Sequence, residues 1–317
     1  MIFDTHAHYD DEWFDEDREA LLRGLSSRGI GTVVNVGASM RGSRESVALA
    51  KEWPFVYASV GVHPDHAPAM CEADIVELRA LAADEKVVAI GEIGFDYGHE
   101  DELTDEERSA QRKAQEHWFR RQLALAAELE LPVIIHSRGA EGDTLAVMRE
   151  YAEAFGPNGR FSIVNEYADA ARSDDCFAAT REHADTLNPD NSFVSGVESL
   201  SFSGKSFPGG IIHCFSGSPE TAEAYRKLGF HIGVGGVITF KNARRLPDVV
   251  ASAPLEQIVL ETDAPYMAPV PFRGKRNDSG YLPYVVAKIA EIKGVSEEDV
   301  IRTTTETARQ LFAIREL

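Results

Sequence analysis

Cysteine is scarce: three in 317 residues, at positions 71, 176 and 214. An odd number of widely separated cysteines argues against a disulfide framework and suits a reducing compartment. Long apolar runs are missing as well. No stretch of about 18 apolar residues appears, so no membrane span is expected. The first residues lack a basic segment followed by an apolar run, so no signal peptide is expected and the cytoplasm is the expected location. There is no excess of cations either. Lys plus Arg number 32 against 52 Asp plus Glu, a formal net charge of −20. A protein that grips polyphosphate across a broad basic face does not have this balance. Nucleic-acid binding would need a local basic patch, helped by bound metal cations. GxGxxG is absent, and the partial match GVGG (233–236) follows the wrong strand for a dinucleotide site. No nucleophile elbow and no suitable Cys–His pairing occurs, which disfavours covalent catalysis. With 44% hydrophobic and 26% charged residues, the composition is that of a globular protein.

What is present is alternation. β-rich runs fall at Ile2–His6, Thr32–Val36, Phe55–Val60, Val87–Glu92, Pro132–His136, Gly210–Phe215, His231–Gly235 and Ile258–Asp263. Amphipathic segments lie between them, near 15–28, 42–51, 72–83, 105–130, 140–154, 218–228 and 242–252, and two more follow near 281–293 and 296–314. Capping boxes at Thr104/Glu107 and Ser296/Asp299, and Ser218 ahead of Pro219, mark helix starts. Strict alternation implies parallel strands joined by helical crossovers. Eight such units predict a closed (β/α)8 TIM barrel of the α/β class, though alternation alone also admits an open doubly wound sheet. The expectation is one domain over 1–317, with an irregular insertion at 156–208 between strands 5 and 6. That stretch is rich in Asp, Asn, Ser and Gly and is either a surface decoration or a lid over the active face.

Imidazoles and carboxylates recur where these runs end. His6 and His8 close strand 1 in DTHAH, and His63 follows strand 3 in GVHPDH. Glu92 ends strand 4 in AIGEIGFDY, His136 ends strand 5 in PVIIHSR, His213 lies in IIHCFSGS and Asp263 ends strand 8 in LETDAPY. In a barrel the C-terminal strand ends converge on one face, where active sites form. Singly, each of these residues has a structural explanation, as a solvated histidine or a turn cap. Together they predict a metal site. Nitrogen plus carboxylate donors suit Zn, Mn, Fe or Ni better than Ca. His63 could equally orient a neighbour or contact substrate; without it, four nitrogens and two carboxylates exceed one tetrahedral ion and suit two. A bridging carboxylate would hold these about 3.5–4 Å apart and lower the pKa of a shared water toward about 7. Hydrolysis is therefore the favoured reaction. Cys214, next to His213, is expected on the opposite strand face as buried packing. His66, His99, His117, His183 and His231 fit no strand-end pattern.

Loops after strands 7 and 8 often form phosphate sites in barrels. Here they carry Lys241, near a predicted helix N-terminus, and Arg273, Lys275 and Arg276 within RGKR. Ser137 and Arg138 directly follow His136. These cations form a local basic patch suited to capturing an anionic substrate, with a solvated basic turn as the alternative. Phe95, Tyr97, Phe215, Tyr266 and Phe272 lie on the same loops and are candidates for stacking on bases.

The segments DTHAH, SVGVHP, AIGEIGFDY, PVIIHSR, IIHCFSGS, GGVITFK and LETDAPYMAPVPFRGKR, in this order across nearly the whole chain, closely resemble the TatD family of metal-dependent hydrolases. The resemblance implies a barrel of the amidohydrolase type and a deoxyribonuclease activity, commonly 3′→5′ exonucleolytic, on DNA 3′ ends that are expected to be single-stranded. It implies two divalent ions, with Zn, Mg, Mn, Fe or Ni all admissible. By motif, His6, His8, Glu92 and Asp263 would hold one. Glu92 would bridge to a second held by His136 and His213, and Asp263 would also orient or deprotonate the water. His63 would lie close, toward substrate, without being a ligand. The chain departs from the pattern near 156–208. Two other readings remain: hydrolysis of a small amide or ester, aminoacyl esters included, and a non-catalytic metal-binding barrel. Neither a membrane nor an obligate protein partner is expected.

Overall fold

The computed structural model describes residues 1–164 and 197–315. The strands in these residues are β1 (Ile2–Ala7), β2 (Ile30–Val36), β3 (Val56–Val60), β4 (Val87–Asp96), β5 (Val133–Arg138), β6 (Phe161–Val164), β7 (Val197–Leu200), β8 (Gly210–Ile212), β9 (Phe230–Val234) and β10 (Ile258–Leu260). All except β6 and β7 pair in parallel in one sheet, ordered β1-β2-β3-β4-β5-β8-β9-β10. The two edges of this sheet meet. Ala7 and Ala264 form a parallel bridge, His8 N–H donates to Ala264 O (2.8 Å) and Asp263 N–H donates to His6 O (2.9 Å). The eight-stranded barrel is therefore as expected.

The helices are α1 (Arg18–Leu25), α2 (Met40–Glu52), α3 (Glu72–Leu81), α4 (Asp105–Leu129), α5 (Glu141–Glu153), α6 (Pro219–Lys227), α7 (Leu246–Ser252), α8 (Leu282–Lys293) and α9 (Glu297–Leu311). The capping signals act as the sequence implies. Glu107 N–H donates to Thr104 Oγ1 (3.2 Å) while Thr104 N–H donates to Glu107 Oε2 (2.9 Å). Asp299 N–H reaches Ser296 Oγ (3.1 Å), and Thr221 N–H reaches Ser218 Oγ (3.2 Å). No helix among the described residues is long and apolar enough to cross a membrane.

The barrel interior is apolar at one end and polar at the other. Phe3, Val88, Ile134, Ile211 and Val259, each the second residue of its strand, gather in one buried cluster with Phe312 and Ile314, just past α9. Side chains two or four places further along a strand share the same face. From Ile134 and Ile211 those places include His136 and His213. One alternation thus builds both the floor of the barrel and the donors at its mouth. β1 and β4 break this parity through register irregularities between Asp4 and Ala7 and between Ile90 and Ile93, and these bring His6 and Glu92 to the same mouth.

Strand ends differ most from expectation at β4, β8 and β10. β4 does not stop at Glu92. Its pairing with β5 continues through Gly94↔His136 to Asp96↔Arg138. β8 stops at Ile212 and β10 at Leu260, and neither strand could run on past Cys214 (φ +46°) or Asp263 (φ +57°), whose left-handed backbone no strand continues. Of the expected 156–208 insertion, the margins form an antiparallel pair, β6 with β7, over an aromatic cluster of Tyr151, Phe155, Phe161 and Phe202. Residues 165–196, which include His183 and Cys176, lie outside the described residues. The cysteine expectation is corrected at one position: Cys71 is disulfide-bonded, whereas Cys214 is a free thiol.

Barrel closure also depends on Asp4, which is fully buried. Its carboxylate accepts from Thr262 N–H (3.0 Å), Thr262 Oγ1 (2.7 Å) and Ser279 Oγ (2.6 Å), which ties β1 to the segment bearing Asp263. Asp4→Ala strands these donors. We expect it to cost about 3 kcal/mol of stability in urea denaturation. A loss under about 1 kcal/mol would mean that closure does not rest on Asp4.

Candidate metal centre

Glu92 is the hub, with a carboxylate that is 4% exposed. Its Oε2 lies 3.5 Å from His6 Nε2 and 3.7 Å from His8 Nε2. Its Oε1 lies 2.6 Å from His213 Nε2, 2.7 Å from His136 Nδ1 and 3.8 Å from His63 Nε2. Asp263 Oδ1 completes the first half, 3.5 Å from His8 Nε2 and 3.7 Å from His6 Nε2. The His6 and His213 rings stack in parallel at 4.1 Å across the middle. All six residues expected to hold metal therefore meet at one point, together with His63.

The surroundings decide which ring nitrogen of each histidine faces inward. His8 Nδ1–H donates to Val36 O (2.8 Å), which turns Nε2 toward His6 Nε2 at 3.1 Å. His136 Nε2 meets Asp96 Oδ2 at 3.0 Å and leaves Nδ1 inward. His63 is the reverse case. Its Nδ1 accepts from Asp65 N–H (3.2 Å), so the neutral ring carries its proton on Nε2 and presents a donor, rather than a ligand, to the centre.

Charge favours a cation here. Burial works against ionised carboxylates, yet the imidazoles of His213, His6 and His63 hold Glu92 well below the usual carboxylate range. Asp263 is likewise held low against its burial by His8 and His213. Burial pushes His6 down to about 4, helped by His213. His8 and His136 are also buried, but Asp263 and Glu92 carry His8 up to about 10, and Asp96 and Glu92 carry His136 to about 10. Burial brings His63 to about 4. Inward nitrogens and carboxylate oxygens cluster in overlapping trios, including His6–His8–Glu92, His6–His213–Asp263 and His63–Glu92–His136. This mixed nitrogen and oxygen donor set fits divalent transition metals.

The cations expected to meet substrate are placed less uniformly. Arg138 is exposed, with Nη1 3.9 Å from Asp96 Oδ2 at the edge of the centre. Arg273 is exposed and stacks over Phe240 (4.5 Å), and exposed Lys275 lies 5.9 Å from the Phe272 ring. Lys241 is exposed in a turn after the 3-10 helix Gly236–Thr239, five residues ahead of α7 rather than at its N-terminus. Arg276 is corrected. It forms a two-pronged pair with Asp17 (2.8 and 2.6 Å) and donates to Trp13 O (2.6 Å), so it ties down the loop after β1 and is no free cation. Phe95 and Phe215 are buried in the core and cannot stack on bases, whereas Tyr266 is exposed. Cys214 is also corrected. Since β8 ends before it, strand alternation does not send it into the core, and its half-buried thiol sits 3.6 Å from Met267 Sδ.

Sequence reasoning missed two buried acids. Asp96 contacts His136, and the signal was period two: with β4 extended past Glu92, Asp96 falls on the same face. Glu261 accepts a hydrogen bond from Cys214 N–H beside His213. Burial pushes its carboxyl up to about 8. Reading strand 8 to its end at Asp263 hid this second acid.

A family model described as TatD related DNase matches residues 3–172 and 190–313. The chain belongs to the TatD family. Among curated relatives, a Bacillus subtilis protein described as an uncharacterized metal-dependent hydrolase, YabD, is 34% identical over 99% of this chain and 100% of its own length. A Rahnella protein named 3′-5′ ssDNA/RNA exonuclease TatD is 30% identical over 99% and 98%. The crystal structure of the TatD homolog YJJV from Escherichia coli superimposes with a TM-score of 0.74 at 26% identity, covering 99% of this chain and 98% of that one. This TatD-family protein is a metal-dependent hydrolase.

At pH 7 the metal-free His8 and His136, with pKa values near 10, hold protons on nitrogens that a metal would need. Metal binding should therefore release protons, and affinity should weaken as pH falls from 8 to 6. Calorimetry in buffers of different ionisation enthalpy measures this, and no net proton release would contradict the protonation described.

Proposed function

We propose that this TatD-family protein hydrolyses phosphodiester bonds with two divalent metal ions, removing nucleotides from single-stranded DNA 3′ ends, and that the whole chain acts as one barrel domain. The observation that carries the two-ion reading is the division of Glu92. One oxygen faces His6 and His8, and the other faces His136 and His213, as a bridging carboxylate must. Asp263 belongs with the first half. Divalent ions held there would supply a water of lowered pKa and would polarise the phosphoryl group whose phosphorus that water attacks.

The chain's own residues do the rest. Asp263, ionised at neutral pH and opposite His6 and His8, orients the attacking water and accepts its proton. Glu92 fixes the positions of four imidazoles through its two oxygens. His63 Nε2–H is a donor at the rim for a substrate oxygen. Arg138, Arg273, Lys275 and Lys241 are exposed cations for the flanking phosphates, which accounts for polyanion binding by a chain of net charge −20. The nuclease reading is further supported by the family description and by relatives named as exonucleases.

The test uses 3′- and 5′-end-labelled single- and double-stranded DNA with Mg, Mn or Zn, with and without chelator. Shortening from the 3′ end should need metal and fall by about 10²–10⁴-fold in Asp263→Asn, which removes the proton acceptor. In the same assay at low turnover, Arg273→Ala with Lys275→Ala should weaken binding and flatten its salt slope by about 0.7 for each phosphate no longer neutralised. Turnover of amide or ester substrates with no cleavage of DNA under any metal would overturn the nuclease reading.

A further inference from the structure

The wall of the barrel between β4 and β5 contains a buried carboxylate that the proposed reaction does not use. Asp96 is 4% exposed and four residues beyond Glu92. Its register explains its position. Gly94 pairs with His136, so Glu92 and Asp96 lie two residues to either side of the strand position facing that histidine. The close approach needs glycine. Gly94 has φ +145°, and a Cβ there would fall 2.0 Å from the His136 carbonyl oxygen. The two carboxylates therefore clamp one imidazole from opposite sides, Glu92 Oε1 on Nδ1 at 2.7 Å and Asp96 Oδ2 on Nε2 at 3.0 Å.

Asp96 is itself rigidly held. Its Oδ1 accepts from Gly98 N–H (2.7 Å). Its backbone N–H donates to Gln115 Oε1 (3.1 Å), and its carbonyl accepts from Gln115 Nε2 (3.0 Å) from within α4. With Oδ1 committed, only Oδ2 is left for His136. That same oxygen is the one 3.9 Å from Arg138 Nη1.

We propose that Asp96 is the positioning residue of the second metal site: it fixes the proton of His136 on Nε2, so that Nδ1 faces Glu92 and His213 as a lone pair. A metal-bound histidine characteristically donates its other N–H to a carboxylate, which orients the ring and raises its basicity. Here the carboxylate comes from the strand that supplies the bridging Glu92, so the spacing of one strand sets both ends of the imidazole. The inference rests on the two-ion reading above, and it extends that reading to a residue that touches neither substrate nor metal.

Asp96→Asn gives the informative test. Gly98 N–H should keep the amide oxygen, which leaves the NH2 group facing His136 Nε2. Two donors cannot share that contact, so His136 must move its proton to Nδ1, onto the metal side. Wild type, Asp96→Asn and Asp96→Ala are stripped of metal and titrated with cobalt(II), following visible absorption and equilibrium dialysis, alongside thermal unfolding. Two ions should bind wild type. In Asp96→Asn one of them should weaken about 10–100-fold while the other, on the His6–His8–Asp263 side, and the unfolding midpoint change little. In Asp96→Ala the same ion should weaken. If both variants bind two ions with wild-type affinity, whatever their stability, Asp96 is structural only and the proposal fails while the two-ion reading stands. If wild type binds no divalent ion, both fail together.

Discussion

A buried carboxylate surrounded by imidazoles is the constraint on which the mouth of this barrel is organised. Left alone in the barrel interior, ionised Glu92 would be costly, because taking a charge from water into such surroundings is strongly unfavourable unless it is paired. His6, His8, His136 and His213 offset that cost from four directions. They come from three strands or strand ends besides that of Glu92, so the barrel has to bring those strands together before the carboxylate is satisfied. In turn the histidines are held: His8 by the Val36 carbonyl, His136 by Asp96, and the loop bearing Asp263 by Asp4. Position passes from backbone to ring to centre through hydrogen bonds that fix which atoms face inward.

The fold was legible because a barrel repeats one simple pattern. Alternating β-rich and amphipathic runs gave the eight parallel strands, and Thr104, Ser218 and Ser296 marked helix starts that the structure reproduces. The cluster was legible for the same reason, since strand-end chemistry recurs at one height. Strand boundaries were not. Ile93 and Phe95 continue the apolar run past Glu92, and pairing with β5 carries β4 four residues further, so the face of Asp96 emerges only when the strand is read to its end. Past β8 and β10 the opposite error arises. Cys214 and Asp263 adopt left-handed backbone that no hydrophobic pattern signals.

Charge was harder to read than hydrophobicity, since a cation in sequence carries no record of its partner. RGKR reads as one basic patch. In the structure Arg276 belongs to Asp17, and Arg273 and Lys275 remain exposed over aromatic rings. A chain with so many more acids than bases commits some of its cations to internal pairs, and only the remainder are available to an anionic substrate. The exposed basic surface is therefore narrower than the sequence implies, and one of its members, Arg138, lies beside the same Asp96 oxygen that faces His136.

The central claim is that Glu92 divides one cluster into two metal sites. A crystal structure of protein grown with manganese, with data collected for anomalous scattering, tests it most directly. The account predicts two anomalous peaks on either side of the Glu92 carboxylate, one among His6, His8 and Asp263 and the other between His136 and His213. A single peak, or two that do not share Glu92, would contradict it.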